Sequence, residues 1–338
     1  MATVVNGAAT RATPKKLSYR VVDGFFKRPR KWTFIEVVDA DVDEDDNIYV
    51  FSRSPHPIMI FDKKGNFLDN WGELSDRYFS NPHGITIGPD GFVYTADTGD
   101  HTIRKFTKAG KPLMTLGRAN QNAPAQSGKP FNMPTKVDIA SNGDIYISDG
   151  YQNSHMHVFD ADGKYKFNWG SNGSAPGQFD TPHGIYVDRT DGDRVYVADR
   201  HNNRVQVFTA KGEFISEWKD LLMPNSVRKG PDGEFVVPEL YQRVSVLDRE
   251  GNLLARFGDE GAVLDDSDAA RGGLPTAPSR NPMLKGVIRH EPGAGKCLAP
   301  HGAAVDSEGS LYIAEVAESR AGVDRGDRSI QKFVRVDA

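Results

Sequence analysis

The stretch "GFVYTADTGDHTIRKFTKAGKPLMTLG", residues 91–117, holds three short runs of strand-forming residues separated by turn-forming Asp-Thr-Gly-Asp and Lys-Ala-Gly. Short runs bounded by such residues read as consecutive strands joined by tight turns. The same template returns on either side. "GDIYISDGYQNSHMHVFDADGKYKFNWG" (143–170) and "DRVYVADRHNNRVQVFTAKGEFISEW" (193–218) match it closely. "NIYVFSRSPHPIMIFDKKGNFLDNWG" (47–72) and "GEFVVPELYQRVSVLDREGNLLARFG" (233–258) are weaker copies. A sixth begins at "GSLYIAEVAESR" (309–320) and ends in "SIQKFVRV" (329–336). Each copy is preceded by one more short run, which makes units of four strands over about 40 residues. A unit of this size buries its apolar faces only by stacking on its neighbours, and a closed ring of them leaves few free edges. The sequence therefore predicts an all-β, six-bladed β-propeller.

The sixth copy stops after its third strand, while "LSYRVVDGF" (17–25) is strand-like and has no blade of its own. It is predicted to complete the last blade and close the ring. The chain then divides into a basic, flexible tail (1–16) and a single propeller (17–338). One segment breaks the repeat. Residues 259–296, rich in Gly, Ala, Pro and Asp, form a long insertion between blades five and six. Connections of that length commonly serve as lids over a site.

Composition narrows the function. With 38% hydrophobic and 26% charged residues the chain reads as globular. No run approaches the ~18 apolar residues of a membrane span, and no secretory leader is seen. A single cysteine, Cys297, leaves no internal disulfide and suits a reducing compartment, so the expected location is cytoplasmic. A net charge of −4 argues against general nucleic-acid binding, although eight Lys or Arg stand against one acid in the first 31 residues.

Pro-His-Gly occurs three times, in "NPHGITIG" from Asn81, "TPHGIYVD" from Thr181 and "APHGAAVD" from Ala299. Each opens the first, innermost strand of a blade, in blades two, four and six. Blades three and five carry "MPTKV" (133–137) and "MPNSV" (223–227) there instead. Alternate blades of a sixfold ring are related by a threefold rotation, so His83, His183 and His301 should converge on the channel axis. Three neutral imidazoles with an open fourth position are a zinc-type ligand set. His155, His157 and His201 lack this placement and read as surface or structural residues.

The second strand of each blade returns to the same mouth. Its end carries a recurring acid at Asp97, Asp149, Asp199, Glu239 and Glu315, which reads as a turn cap. Arg53, Tyr151 and Arg200 depart from the repeat and are the candidates for chemistry: guanidiniums for a carboxylate or oxyanion, and a tyrosine whose phenol they acidify. "DADVDEDDN" (39–47) looks like a calcium loop but lacks the glycine and glutamate that such a loop requires, and reads as an acidic turn before the second strand of blade one.

These residues resemble the NHL-repeat propellers, and among them the peptidyl-α-hydroxyglycine α-amidating lyases. "ISDGYQNS" (147–154), "GQFDTPH" (177–183) and "VADRHNNRVQVF" (197–208) carry the likeness, which runs through about residues 45–335. The resemblance implies zinc on His83, His183 and His301, with another divalent transition metal as a substitute. It also implies Tyr151 as the catalytic tyrosine and Arg53 and Arg200 as substrate-side arginines. The implied reaction is cleavage of a small or peptidyl N-(α-hydroxyalkyl) amide to an amide and an aldehyde such as glyoxylate. The family has a methionine two residues before its third histidine, where this chain has Ala299. It has an acid that holds structural calcium directly after that histidine, where this chain has Gly302, which argues against calcium here. Two other readings stand beside the lyase. One is a related zinc and tyrosine enzyme for hydration, dehydration or hydrolysis of another small polar substrate, and the other is a non-catalytic scaffold that binds protein or RNA.

Overall fold

The computed structural model describes residues 16–73, 78–258 and 291–336. The described strands form six four-stranded antiparallel sheets, each with its strands in the spatial order inner to outer. The inner strands begin at Val37, Pro82, Lys136, Pro182, Arg228 and Pro300, one to a blade, and neighbouring inner strands lie against one another around a central channel. The protein is a six-bladed β-propeller. No helix among the described residues is long and apolar enough to cross a membrane.

The apolar residues fall into layers between adjacent blades. Tyr94 and Ile103 of blade two pack with Phe131, Val137, Ile139 and Ile147 of blade three. Tyr196, Val205 and Trp218 of blade four meet Val227, Phe235 and Leu247 of blade five in the same way. Both faces of these strands are covered, which is why strands such as Ile145–Asp149 are buried throughout rather than on alternate residues. The recurring Trp and turn Gly are one device: Trp71, Trp169 and Trp218 each cover the turn glycine of the following blade (Gly110, Gly212, Gly251), where any Cβ would run into the indole.

Ring closure follows the expected plan. Ser18–Val22 pairs antiparallel with Ile330–Val336, from Ser18 opposite Val336 to Val22 opposite Lys332, and so forms the outer strand of blade six. Tyr19 also packs on Phe257 of blade five. A chain lacking residues 1–22 should keep its five other blades but lose the cover over Ile330–Val336. Its thermal midpoint is expected to fall by about 5–10 °C, measured by circular dichroism or calorimetry. An unchanged midpoint would show that the strand contributes nothing to closure. The proposed tail lies outside the described residues apart from Lys16, and the 259–296 insertion lies outside them apart from 291–296.

One sequence expectation is corrected. Within the acidic stretch 39–47, residues 39–42 belong to the inner strand Val37–Val42, and only 43–47 form a turn. Asp43 organises that turn by accepting the backbone N–H groups of Asp45 and Asn47. Asp39 and Asp41 are tolerated in the strand because they accept the N–H groups of Ile85 and Ile87 in blade two. Asp39 is also ion-paired with buried Lys136 of blade three. Polar pairing across the channel thus replaces the apolar contacts that a strand pattern anticipates.

Candidate metal centre

The Pro-His-Gly tripeptides mark a bulge at the start of three inner strands. In blade two Pro82 faces Asp97 and Gly84 faces Ala96, so His83 is the extra residue; the register slips in the same way at His183 and His301. A bulge re-aims the side chain of its extra residue. The glycine after it lets the next blade's backbone approach. A Cβ on Gly84, Gly184 or Gly302 would collide with the chain at Thr135, Asn225 or Val38–Asp39 respectively. The carbonyls brought in by this approach are those that orient the histidines. His83 Nδ1 donates to Thr135 O at 2.7 Å, His183 Nδ1 to Asn225 O at 2.8 Å, and His301 Nδ1 to Val38 O at 2.6 Å.

With each Nδ1 proton committed to a carbonyl, each Nε2 keeps a lone pair. The three rings meet with centroids 4.6–4.9 Å apart, and one ligand nitrogen from each lies within 4.8 Å of the others. All three histidines are buried, at 2%, 2% and 4% exposure. Burial holds each imidazole's pKa well below its ordinary value, and Arg53, Arg200 and the neighbouring histidines push the same way. The cluster is therefore neutral at physiological pH, the form that binds a metal. It is the one group of three or more His, Cys, Asp or Glu with metal-ligand spacing among the described residues.

Tyr151 stands over this cluster. Its Oη lies 3.0 Å from His83 Nε2 and 3.2 Å from His183 Nε2. The preceding Gly150 passes so close to blade four that a Cβ would overlap the Pro182 carbonyl, which carries Tyr151 across onto the histidines. Burial pushes the phenol's pKa up, but Arg200, Arg320 and Arg53 together outweigh it and leave the group below its ordinary value. Arg200 is 1% exposed, donates from Nη1 to Tyr151 Oη at 3.4 Å and sits 5.1 Å from the tyrosine ring centroid. Its Nε has no hydrogen-bond partner among the described residues. A buried guanidinium without a carboxylate partner is costly, and an incoming anion relieves that cost.

Arg53 is placed differently. It is ion-paired with Glu36 (Nη1 to Oε2, 2.7 Å), and its side chain is about a quarter exposed. It reaches the site electrostatically, by helping to depress His83, His301 and Tyr151.

The recurring acids cap the loops that enter the inner strands. Asp97 accepts the N–H groups of Ser80, Asn81 and Gly99, Asp149 that of Asn132, and Asp199 that of Asp180. Glu239 and Glu315 do the same for Leu222 and for Leu298 and Ala299. Asp199, raised by burial to about 6, also binds Arg204 and Gln206 and so steadies the turn that presents Arg200. His157 is fully buried beside Asp149, and His201 lies in a short 3-10 turn, bonded to Thr181.

Sequence reasoning missed Glu36 and Arg320. Glu36 precedes the inner strand of blade one, outside the repeat template. Arg320 lies on the short helix Ala317–Ala321, which follows the second strand of blade six. The apolar-poor "AESR" where other blades turn directly into a third strand was the available signal.

The comparisons with known proteins agree with this architecture. A family model described as a 6-bladed beta-propeller matches residues 130–236, and an NHL repeat model matches residues 79–106. Human NHL repeat-containing protein 3 is 29% identical over 238 residues, covering 66% of this chain and 67% of that protein. A probable peptidyl-alpha-hydroxyglycine alpha-amidating lyase of Caenorhabditis elegans is 35% identical over 156 residues, covering 45% of this chain and 43% of the relative. The structure of a streptogramin B lyase superposes with a TM-score of 0.57 over 95% of this chain and 98% of the other, at 13% identity, a likeness of fold.

Proposed function

We propose that this chain, an NHL-repeat β-propeller with an amidating lyase among its relatives, is a metal-dependent carbon–nitrogen lyase acting on an N-(α-hydroxyalkyl) amide. The observation that carries the reading is the convergence of three buried, neutral imidazoles, two of which, His83 and His183, hold their Nε2 against the hydroxyl of a tyrosine attended by arginines. The donor set fits zinc or another divalent transition ion: three imidazoles, no competing carboxylate within the group, and each ring held by a carbonyl on its far nitrogen. When bound, such an ion supplies a Lewis acid that polarises the substrate hydroxyl.

The chain's own residues supply the rest. Arg200 and Arg53 bind and orient the substrate carboxylate. Tyr151 Oη, acidified by its guanidinium neighbours, takes the proton of the α-hydroxyl. The carbon–oxygen bond becomes a carbonyl as the C–N bond breaks, its electron pair goes to nitrogen, and nitrogen takes up a proton. Every substrate atom is then accounted for in the amide and the aldehyde. The partner is accordingly a small or peptidyl substrate, and no nucleic acid is called for.

The test is glyoxylate release from α-hydroxyhippurate by protein loaded with zinc. Activity is expected, with loss on chelation and recovery on adding metal back. No glyoxylate from protein shown to hold metal would leave a related enzyme of other substrate range. A non-catalytic scaffold is the competing reading, favoured by the longer match to NHL repeat-containing protein 3. It leaves the neutral histidine cluster without a purpose.

A further inference from the structure

Arg53 and the helix that carries Arg320 come from blades one and six, at opposite ends of the chain, yet one side chain holds both. Glu36 is buried, at 5% exposure. Its Oε2 accepts Arg53 Nη1 at 2.7 Å, and its backbone carbonyl accepts the N–H of Arg53 at 2.9 Å. Its Oε1 accepts the N–H of Ser319 at 2.5 Å, in the short helix Ala317–Ala321. Both carboxylate oxygens are therefore committed, one to each blade. Arg53 and Arg200 each act electrostatically on Arg320 as like charges, and all three act on Tyr151. Without a carboxylate among them, repulsion would drive the more exposed Arg53 outward, because solvent screens it better there.

We propose that Glu36 is a positioning residue that clamps the Arg53 guanidinium at the channel mouth and ties it to the Arg320-bearing helix, so that substrate carboxylate recognition depends on a residue that does not itself touch substrate. The recognition half of this rests on the lyase reading; the clamp itself does not. Glu36→Gln keeps the shape and an acceptor for Ser319 but removes the charge that holds Arg53.

For E36Q, KM for α-hydroxyhippurate should rise about tenfold, with kcat changed far less and metal content kept. E36D, which restores the charge on a shorter arm, should recover part of the loss. A crystal structure of E36Q should show Arg53 displaced from its wild-type position. An unchanged KM, or a raised KM accompanied by falls in kcat, metal content and melting temperature, would overturn the proposal and make Glu36 merely structural. If wild-type protein releases no glyoxylate, only the lyase reading fails, and the E36Q crystal structure still decides the clamp. Arg53 found unmoved there would overturn it, and Arg53 found displaced would uphold it.

Discussion

H183A is expected to carry less than about a tenth of the metal that wild-type protein carries, against about one transition-metal ion per chain in the wild type. The reason lies in the geometry of the cluster. Each of three blades contributes one imidazole, already turned by a backbone carbonyl so that Nε2 faces the axis. Removing one leaves two neutral nitrogens and a hydroxyl, a poor set for a divalent ion. The fold should survive, since the substitution forfeits two side-chain hydrogen bonds, to Asn225 O and to Tyr151 Oη, each on the order of 1 kcal/mol. Plasma mass spectrometry on protein purified without added metal reads the outcome, with H83A and H301A as equivalents. Equal metal in wild type and all three variants would place the ion elsewhere. None in the wild type, and none taken up on reconstitution, would remove the metal from the account altogether.

The second large effect belongs to Tyr151→Phe, which is expected to lower kcat by roughly 10²–10⁴-fold, the range for loss of a positioned proton acceptor. Phenylalanine keeps the ring beneath the Arg200 guanidinium and removes only the hydroxyl that touches His83, His183 and Arg200. Metal content should therefore stay near the wild-type value and KM should move little, because the arginines remain. A variant with normal turnover would exclude Tyr151 as the base. A variant that lost its metal would recast the tyrosine as part of the metal's surroundings.

The repeat made the ring legible because turn glycines recur from blade to blade, and three of them sit under a tryptophan of the preceding blade, a recurrence with a local steric cause, as at Trp169 over Gly212. The meeting of the three histidines was legible for the same reason, since a motif repeated on alternate blades has one geometric solution. What stayed hidden depends on contacts between blades rather than within them. Nothing near Pro182 in the sequence announces that His183 occupies a bulge or that Gly184 makes room for Asn225. Asp39 reads as a turn residue until its partner Lys136, in another blade, is known. Glu36 likewise has no local pattern, because its two partners lie 17 and 283 residues away. Gly302, a departure from the resembled family, acquires a cause only in three dimensions: Asp39 occupies the space that a side chain there would need.

The pairing of Ser18–Val22 with Ile330–Val336 also sets the order in which the molecule can assemble. Five blades are sheets of near neighbours in sequence, and each can pair as soon as its own residues are available. In blade six only the outer strand makes a long-range contact, and its pairing waits until residues 330–336 have been made. During synthesis the early strand waits unpaired while several hundred residues emerge, at ~5–20 residues per second. The interval is long enough for an exposed strand to find the wrong partner, so the yield of active protein should depend more on this last pairing than on any step before it.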